Sequence, residues 1–258
     1  MKITTKIILP IILLGSIGIA VYSYTQHQAV SVTSVVTETQ PEKKLISNNI
    51  LSVDVTYPVI SGKGKEVEAA NVQLHTLIDS RVESFKKDAQ DSAKTPIDLP
   101  KDIKSTVLGS PSIEEKNGRY VAIFMGMEWY MRGAAHPFHT IDTYIYDYKL
   151  GALVSVPDLF KQGSPYLQTL SQLSRVDLKA QSKQGDVGYV YQDDFVQDGT
   201  KPVADNFSKI LPRKDGLTIY FEEYQVASYA AGPQQVVIPY AKLKDIINLN
   251  GVLGMYIQ

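Results

Sequence analysis

Residues 105–131 read STVLGSPSIEEKNGRYVAIFMGMEWYM. Ser105 to Glu114 has strand character, Lys116-Asn117-Gly118-Arg119 supplies turn chemistry, and Tyr120 to Met131 follows as a second strand. The whole stretch therefore predicts a β-hairpin. Downstream, Thr140 to Tyr148 (TIDTYIYDY) pairs naturally through a turn at Gly151 with Ala152 to Val156, and Pro157 to Phe160 starts a short helical turn. Upstream, Ile50 to Val59 alternates as a strand, with Leu51, Val53, Val55 and Tyr57 on one face before Pro58 and Ser61-Gly62. Between Glu66 and Ala89 the apolar Val67, Ala70, Leu74, Leu77, Ile78 and Phe85 recur at steps of three and four. That is an amphipathic helix with one face for a sheet.

Further along, Ser164 can cap a helix with Pro165 as its first residue. Leu167, Leu170, Leu173 and Val176 then carry that helix to about Gln184. Phe207 to Leu211 and Leu217 to Phe221 flank a turn at Lys214-Asp215-Gly216, Gln235 to Ile238 reads as a last strand, and Tyr240 to Asn248 as a short helix. The expected class is α+β, a mostly antiparallel sheet packed with two to three helices after an N-terminal membrane segment.

That membrane segment lies in residues 1–24. Lys2 and Lys6 precede an uncharged run from Ile7 to Tyr24, which fits either an uncleaved anchor or a signal peptide. By the positive-inside rule, the chain after about residue 25 is expected outside the inner (cytoplasmic) membrane, in the periplasm or at the cell surface. Residues 25–48 are polar and read as a tether, and residues 49–258 as the extracytoplasmic domain, with modules at 49–131 and 132–258.

Twenty-six basic against 27 acidic residues give a net charge of −1, which excludes a strongly basic nucleic-acid binder. The absence of cysteine removes disulfides, thiolate nucleophiles and Cys-ligated zinc. His136 and His139 (HPFH) invite a metal reading, but Pro137 lies between them and no third nitrogen or sulfur ligand stands nearby, so no metal is expected. The pairs Glu114-Glu115, Asp193-Asp194 and Glu222-Glu223 are not preset for acid/base work, because neighbours on a strand point to opposite faces. With no G-x-S-x-G elbow and no Gly-rich phosphate loop, neither an enzyme nor a cofactor is expected.

The sixteen tyrosines fit both buried strands and a recognition surface, with clusters at Tyr144, Tyr146, Tyr148 and at Tyr220, Tyr224, Tyr229. Residues 185–206 carry five aspartates against Lys201 alone, among them Asp193 and Asp194. Such a loop fits either a solvated surface or a basic protein partner.

Arg132-Gly133-Ala134-Ala135-His136-Pro137, followed by Asp147 to Gly151 and Asp158-Leu159-Phe160, makes a first set of motifs. Gly216 to Phe221 is a second, and Tyr224 to Gly232 (YQVASYAAG) with Val237-Ile238-Pro239-Tyr240 a third. In this order they resemble the extracytoplasmic domain shared by RsiV-type anti-sigma factors, which are lysozyme receptors, and by the non-catalytic part of PdaC-type peptidoglycan deacetylases. Ile50 to Ala89, with Asn71, resembles the companion module that precedes it, so the likeness covers roughly residues 49–248. The family pattern has two glycines before Ala-His, and Ala134 takes the second place here; an alanine is strained there if the position needs a left-handed backbone.

The resemblance implies an envelope-binding domain rather than an active site, carried on a tether as a sensor-like module. It implies binding, and steric inhibition, of a lysozyme-like muramidase or another peptidoglycan hydrolase. In that reading Asp193, Asp194, Glu222, Glu223, Tyr224 and Tyr229 supply contacts to its basic surface, and Arg132 to His136 brace the loop. The alternative is a module that binds peptidoglycan glycan without inhibiting anything.

Overall fold

The computed structural model of the protein describes residues 41–95, 99–100, 102–183 and 193–257. The leader, most of the tether, His27 and the 185–192 part of the acidic loop lie outside the described residues. The hairpin is present as β3 (Ser105–Lys116) and β4 (Tyr120–Tyr130). Asn117 closes its turn, its Oδ1 accepting the amide hydrogens of Arg119 and Tyr120 at 2.9 and 3.0 Å. On either side of this pair a six-stranded sheet runs in sequence order. It comprises β1 (Lys43–Ser47), β2 (Leu51–Thr56), β3, β4, β5 (Phe138–Asp147) and β6 (Ala152–Leu153).

Every pairing is antiparallel except β2 with β3. A parallel pair needs a crossover, and α1 (Lys65–Ser92) supplies it. The sheet is thus mixed, within the expected α+β class. A second, antiparallel sheet contains β7 (Ile210–Arg213), β8 (Gly216–Phe221) and β9 (Gln234–Ile238). Two further helices, α2 (Tyr166–Lys183) and α3 (Asp193–Gly199), complete the architecture.

Strand alternation sends the odd residues of β4 to one face and the even ones to the other. On the first face Met125, Met127 and Trp129 join Leu51, Val53, Val55 and Val107 beneath Ile78, Val82 and Phe85 of α1. On the second, Tyr120 and Ala122, with Ile141 and Ile145 of β5, meet Ile210, Ile219 and Val236 of the small sheet and Leu170 and Leu178 of α2. Both faces of the hairpin are therefore core, and the described residues form one compact unit. The boundary expected between residues 131 and 132 falls in the connection between β4 and β5, which pair along their length.

Five local expectations change. Residues 43–47, read as part of the tether, form β1, because alternation turns Lys44 and Ile46 onto α1: the Lys44 ammonium reaches Asp79 at 2.9 Å and Glu83 at 3.1 Å. Leu77 is exposed, and Val82 and Ala89 take its place in the core. The Leu167-Leu170-Leu173-Val176 repeat does not follow a single face, because a step of three residues drifts by about 60° around a helix. Leu170, Ser171, Ser174 and Leu178 are buried and Val176 is exposed. Ser164 does not cap α2, its Oγ being buried without a hydrogen bond, and the helix opens instead with the Thr169 amide bonded to the Pro165 carbonyl. The C-terminal helix is limited to 3-10 turns at Tyr240–Lys242 and Val252–Tyr256. Between them Lys161 N to Ile246 O (2.7 Å) and Asn248 N to Leu159 O (3.0 Å) draw the chain into an extended bridge.

Candidate functional site

β6 pairs only with Tyr146 and Asp147, so the rest of the β5 edge has no strand beside it. An open edge leaves amide hydrogens that need acceptors. Side chains provide two of them: Glu222 Oε1 accepts from Ile141 N at 2.7 Å and Glu223 Oε2 from His139 N at 3.3 Å, while Thr143 Oγ1 of β5 accepts from Ile210 N of β7 at 3.2 Å. Glu222 and Glu223 follow the last residue of β8, where strand alternation no longer applies, and both turn onto β5. The resemblance implies that they contact a partner's basic surface; in the structure both are engaged within the fold, the Glu223 side chain being nearly buried.

His139 ties this edge to the sheet floor. Its Nδ1 lies 2.7 Å from Glu223 Oε1 and its Nε2 3.2 Å from Glu128 Oε2. A carboxylate only accepts, so both contacts are hydrogen bonds when the imidazole carries two protons. Among the described residues no group of three or more His, Cys, Asp or Glu is arranged to hold a metal ion.

The turn that carries the two glutamates holds Tyr224 at φ 65°, the only non-glycine residue with positive φ among those described. Gln225 N bonds Glu222 O at 3.1 Å across the turn. The Gln225 side-chain amide in turn donates to Gly199 O and Asn206 O, each at 3.1 Å. Gly199 ends α3 so close to this turn that an added Cβ would lie 1.8 Å from Gln225 O, which is why no larger residue fits there.

With the turn fixed in this way, the Tyr224 side chain stays 55% exposed and its ring lies 5.7 Å from that of Tyr229. Tyr229 stacks on His136 at 4.0 Å and donates its hydroxyl to Pro137 O at 3.0 Å. Burial, together with the negative charge of Glu223, pushes the Tyr229 hydroxyl above the usual tyrosine range. Phe138, 47% exposed, lies apart from this series on the α1 face of the sheet, where it stacks on Trp129, whose indole donates to Thr140 Oγ1 at 2.9 Å and lies under Arg81. Tyr224, Tyr229 and His136 thus form an aromatic rim.

Of the residues singled out in the sequence, His136, Tyr224 and Tyr229 come together. Arg132 anchors the neighbouring loop through its amide, 3.1 Å from Ser105 Oγ. Gly133, at φ 90°, takes the left-handed place in that loop, so Ala134 is not strained. Asp193 and Asp194 stand exposed in the first turn of α3, where negative charge suits the helix dipole, and are not part of the rim. Sequence reasoning missed Glu128, Phe138 and His139 as partners. The strand register that aligns Glu128 with His139 was the available signal.

Residues 157–241 match the family described as "Protein of unknown function (DUF3298)". This stretch is similar to that family. Over 197 residues, 75% of the chain, it is 30% identical to the peptidoglycan-N-acetylmuramic acid deacetylase PdaC of Bacillus subtilis (strain 168), and it spans 38% of that relative's length. The expected likeness to PdaC-type proteins is borne out. A DUF3298 family protein of Bacteroides fragilis NCTC 9343 shares the fold at a TM-score of 0.59 and 17% identity, over 83% of this chain and 95% of that one. Another, from Pseudomonas aeruginosa PAO1, does so at 0.55 and 15%, over 81% and 92%. The 157–241 stretch contributes Tyr224 and Tyr229 to the rim, whereas His136 comes from the β4–β5 connection that precedes it. The rim is therefore assembled from both parts of the chain.

Proposed function

We propose that this chain is the wall-facing binding part of an extracytoplasmic protein and that its aromatic rim holds a peptidoglycan glycan strand. The observation that carries the proposal is Tyr224. A non-glycine residue in the left-handed region is unfavourable by about 1–2 kcal/mol, and such strain concentrates at binding sites. An exposed ring returns little of this through packing, but it offers a flat, electron-rich face on which the C–H side of a sugar can lie. Tyr229 and His136 extend that face, and Glu222 and Glu223 serve as its mount. The likeness to PdaC, a protein named for a peptidoglycan sugar, supports the ligand class, and the leader with Lys2 and Lys6 supports the location.

The competing reading, a clamp on a muramidase, draws its contacts from Asp193, Asp194, Glu222, Glu223, Tyr224 and Tyr229. Both glutamates are engaged with β5, which leaves Asp193, Asp194 and the two tyrosines to carry it. The test mixes the full chain with purified peptidoglycan sacculi, and separately with a lysozyme, across a salt series. Co-sedimentation with sacculi that barely changes with salt and falls sharply in Tyr224→Gly and Tyr229→Ala is the expected result, with lytic activity untouched. Loss of lytic activity without sedimentation would overturn the glycan reading in favour of the clamp.

A further inference from the structure

The face of the large sheet opposite α1 is covered over only part of its length. The small sheet packs over the Tyr120–Phe124 end of β4, where Tyr120 and Ala122 are buried and the Phe124 ring lies 5.0 Å from that of Tyr220. Towards the other end of β4 the face opens. Register sets Leu45, Asp54, Leu108, Glu128 and His139 in one row across five strands, a span of about 19 Å at the usual strand spacing. Ser47, Ser52, Thr106 and Tyr130 form the adjacent row. Leu45 and Leu108 are 68% and 48% exposed.

This floor is continuous with the rim, because Glu128 bonds His139, and His139 bonds Glu223 next to Tyr224. Its composition points to one kind of occupant. Protein interface cores are depleted in Ser, Asp and Glu, which are prominent in these two rows. Lys43 beside these rows is paired with Asp54 at 3.2 Å, which leaves no excess of basic side chains there to attract nucleic acid or an anionic membrane. Apolar Leu45, Leu108 and Tyr130 interleaved with hydroxyls match the alternating C–H faces and hydroxyl edges of a sugar chain.

Resting on the glycan reading above, we infer that the strand does not end at the rim but runs from Tyr224 over Glu128 and across this floor towards β1, so that several sugar units are bound at once. Length dependence is the consequence. The dimer and the hexamer of β-1,4-linked N-acetylglucosamine are titrated against the full chain by calorimetry, for the parent, Leu108→Ala, Thr106→Lys and Tyr224→Gly. The expected result is a hexamer bound about tenfold or more tightly than the dimer, a gap of about 1.4 kcal/mol. Leu108→Ala and Thr106→Lys should shrink that gap and leave the dimer unchanged, whereas Tyr224→Gly weakens both sugars.

Equal affinity of the parent for the two lengths, or a gap that survives both floor variants, would overturn the extended site and leave the rim standing. Failure of the parent to bind either sugar would overturn the rim reading itself. Unchanged glycan binding alongside lost lysozyme binding in Thr106→Lys would assign the floor to a protein partner and overturn the inference. Both floor substitutions sit on the solvent side of β3, and melting curves that overlay the parent's check that the fold is intact.

Discussion

Tyr224 is the position where fold and recognition make opposite demands. Glycine reaches φ 65° freely, so Tyr224→Gly should leave the melting midpoint unchanged or raised while binding to sacculi is lost. Circular-dichroism melts run beside the sedimentation assay read both quantities, and a large fall in the midpoint with intact binding would mark the ring as structural. Glu222 makes the reverse prediction. Removing its carboxylate leaves the Ile141 amide without its acceptor in a partly buried setting, so Glu222→Ala should destabilise by about 1–3 kcal/mol in urea unfolding. Glu222→Gln retains an acceptor oxygen and should lose less. The sequence flagged Glu222, Glu223 and Tyr224 together from chemistry and position. It did not separate their tasks, because that depends on an edge of β5 that only the stopping point of β6 leaves open.

Among the elements, β1 and α1 are joined by a charged cluster whose pH response has a definite sign. Partial burial works against ionisation of Asp79, but hydrogen bonds from Tyr57 (2.5 Å) and Lys44 hold its carboxyl below the usual aspartate range. A carboxyl with a lowered folded-state pKa contributes stability that is complete above the ordinary value of about 3.9 and is lost as pH falls through the folded-state value. Thermal melts should therefore show the midpoint dropping below about pH 4, and Asp79→Asn should flatten that part of the profile. Steady acid sensitivity in the variant would assign the loss to other carboxylates. The α1 helix was legible from its apolar steps because one long face meets one sheet. The repeat in α2 misled because strict threes drift away from a helix face, and Ser171 and Ser174, which do face inward, carry no hydrophobic signal.

At the scale of the molecule, the β3–β4 hairpin is shared by the cores on both its faces, and the C-terminus closes the second. Tyr120, fully buried in the hairpin, meets Tyr256 with 2.6 Å between their hydroxyls, and Tyr256 stacks on Tyr240 at 4.2 Å. Arg213 on β7 also reaches Glu114 on β3 at 3.2 Å. Because the hairpin belongs to both cores, residues 41–257 should unfold in one transition seen alike by fluorescence and far-ultraviolet circular dichroism. Tyr256→Ala removes a stacked ring and the partner of a buried hydroxyl, and should lower stability by about 2–4 kcal/mol without a second transition appearing. Separate transitions for the two sheets would contradict the shared core.

The sequence by itself determined the hairpin, the α1 face, the α+β class and the likeness to PdaC-type proteins, because each rests on local periodicity, turn chemistry or a contiguous motif. Only the tertiary structure decided that Glu222 and Glu223 serve β5, that Tyr224, Tyr229 and His136 form one rim, and that part of a sheet face stays open. Those outcomes depend on which strands become neighbours and where their pairing stops, and residues as far apart as His139 and Glu223 carry no trace of that in their order along the chain.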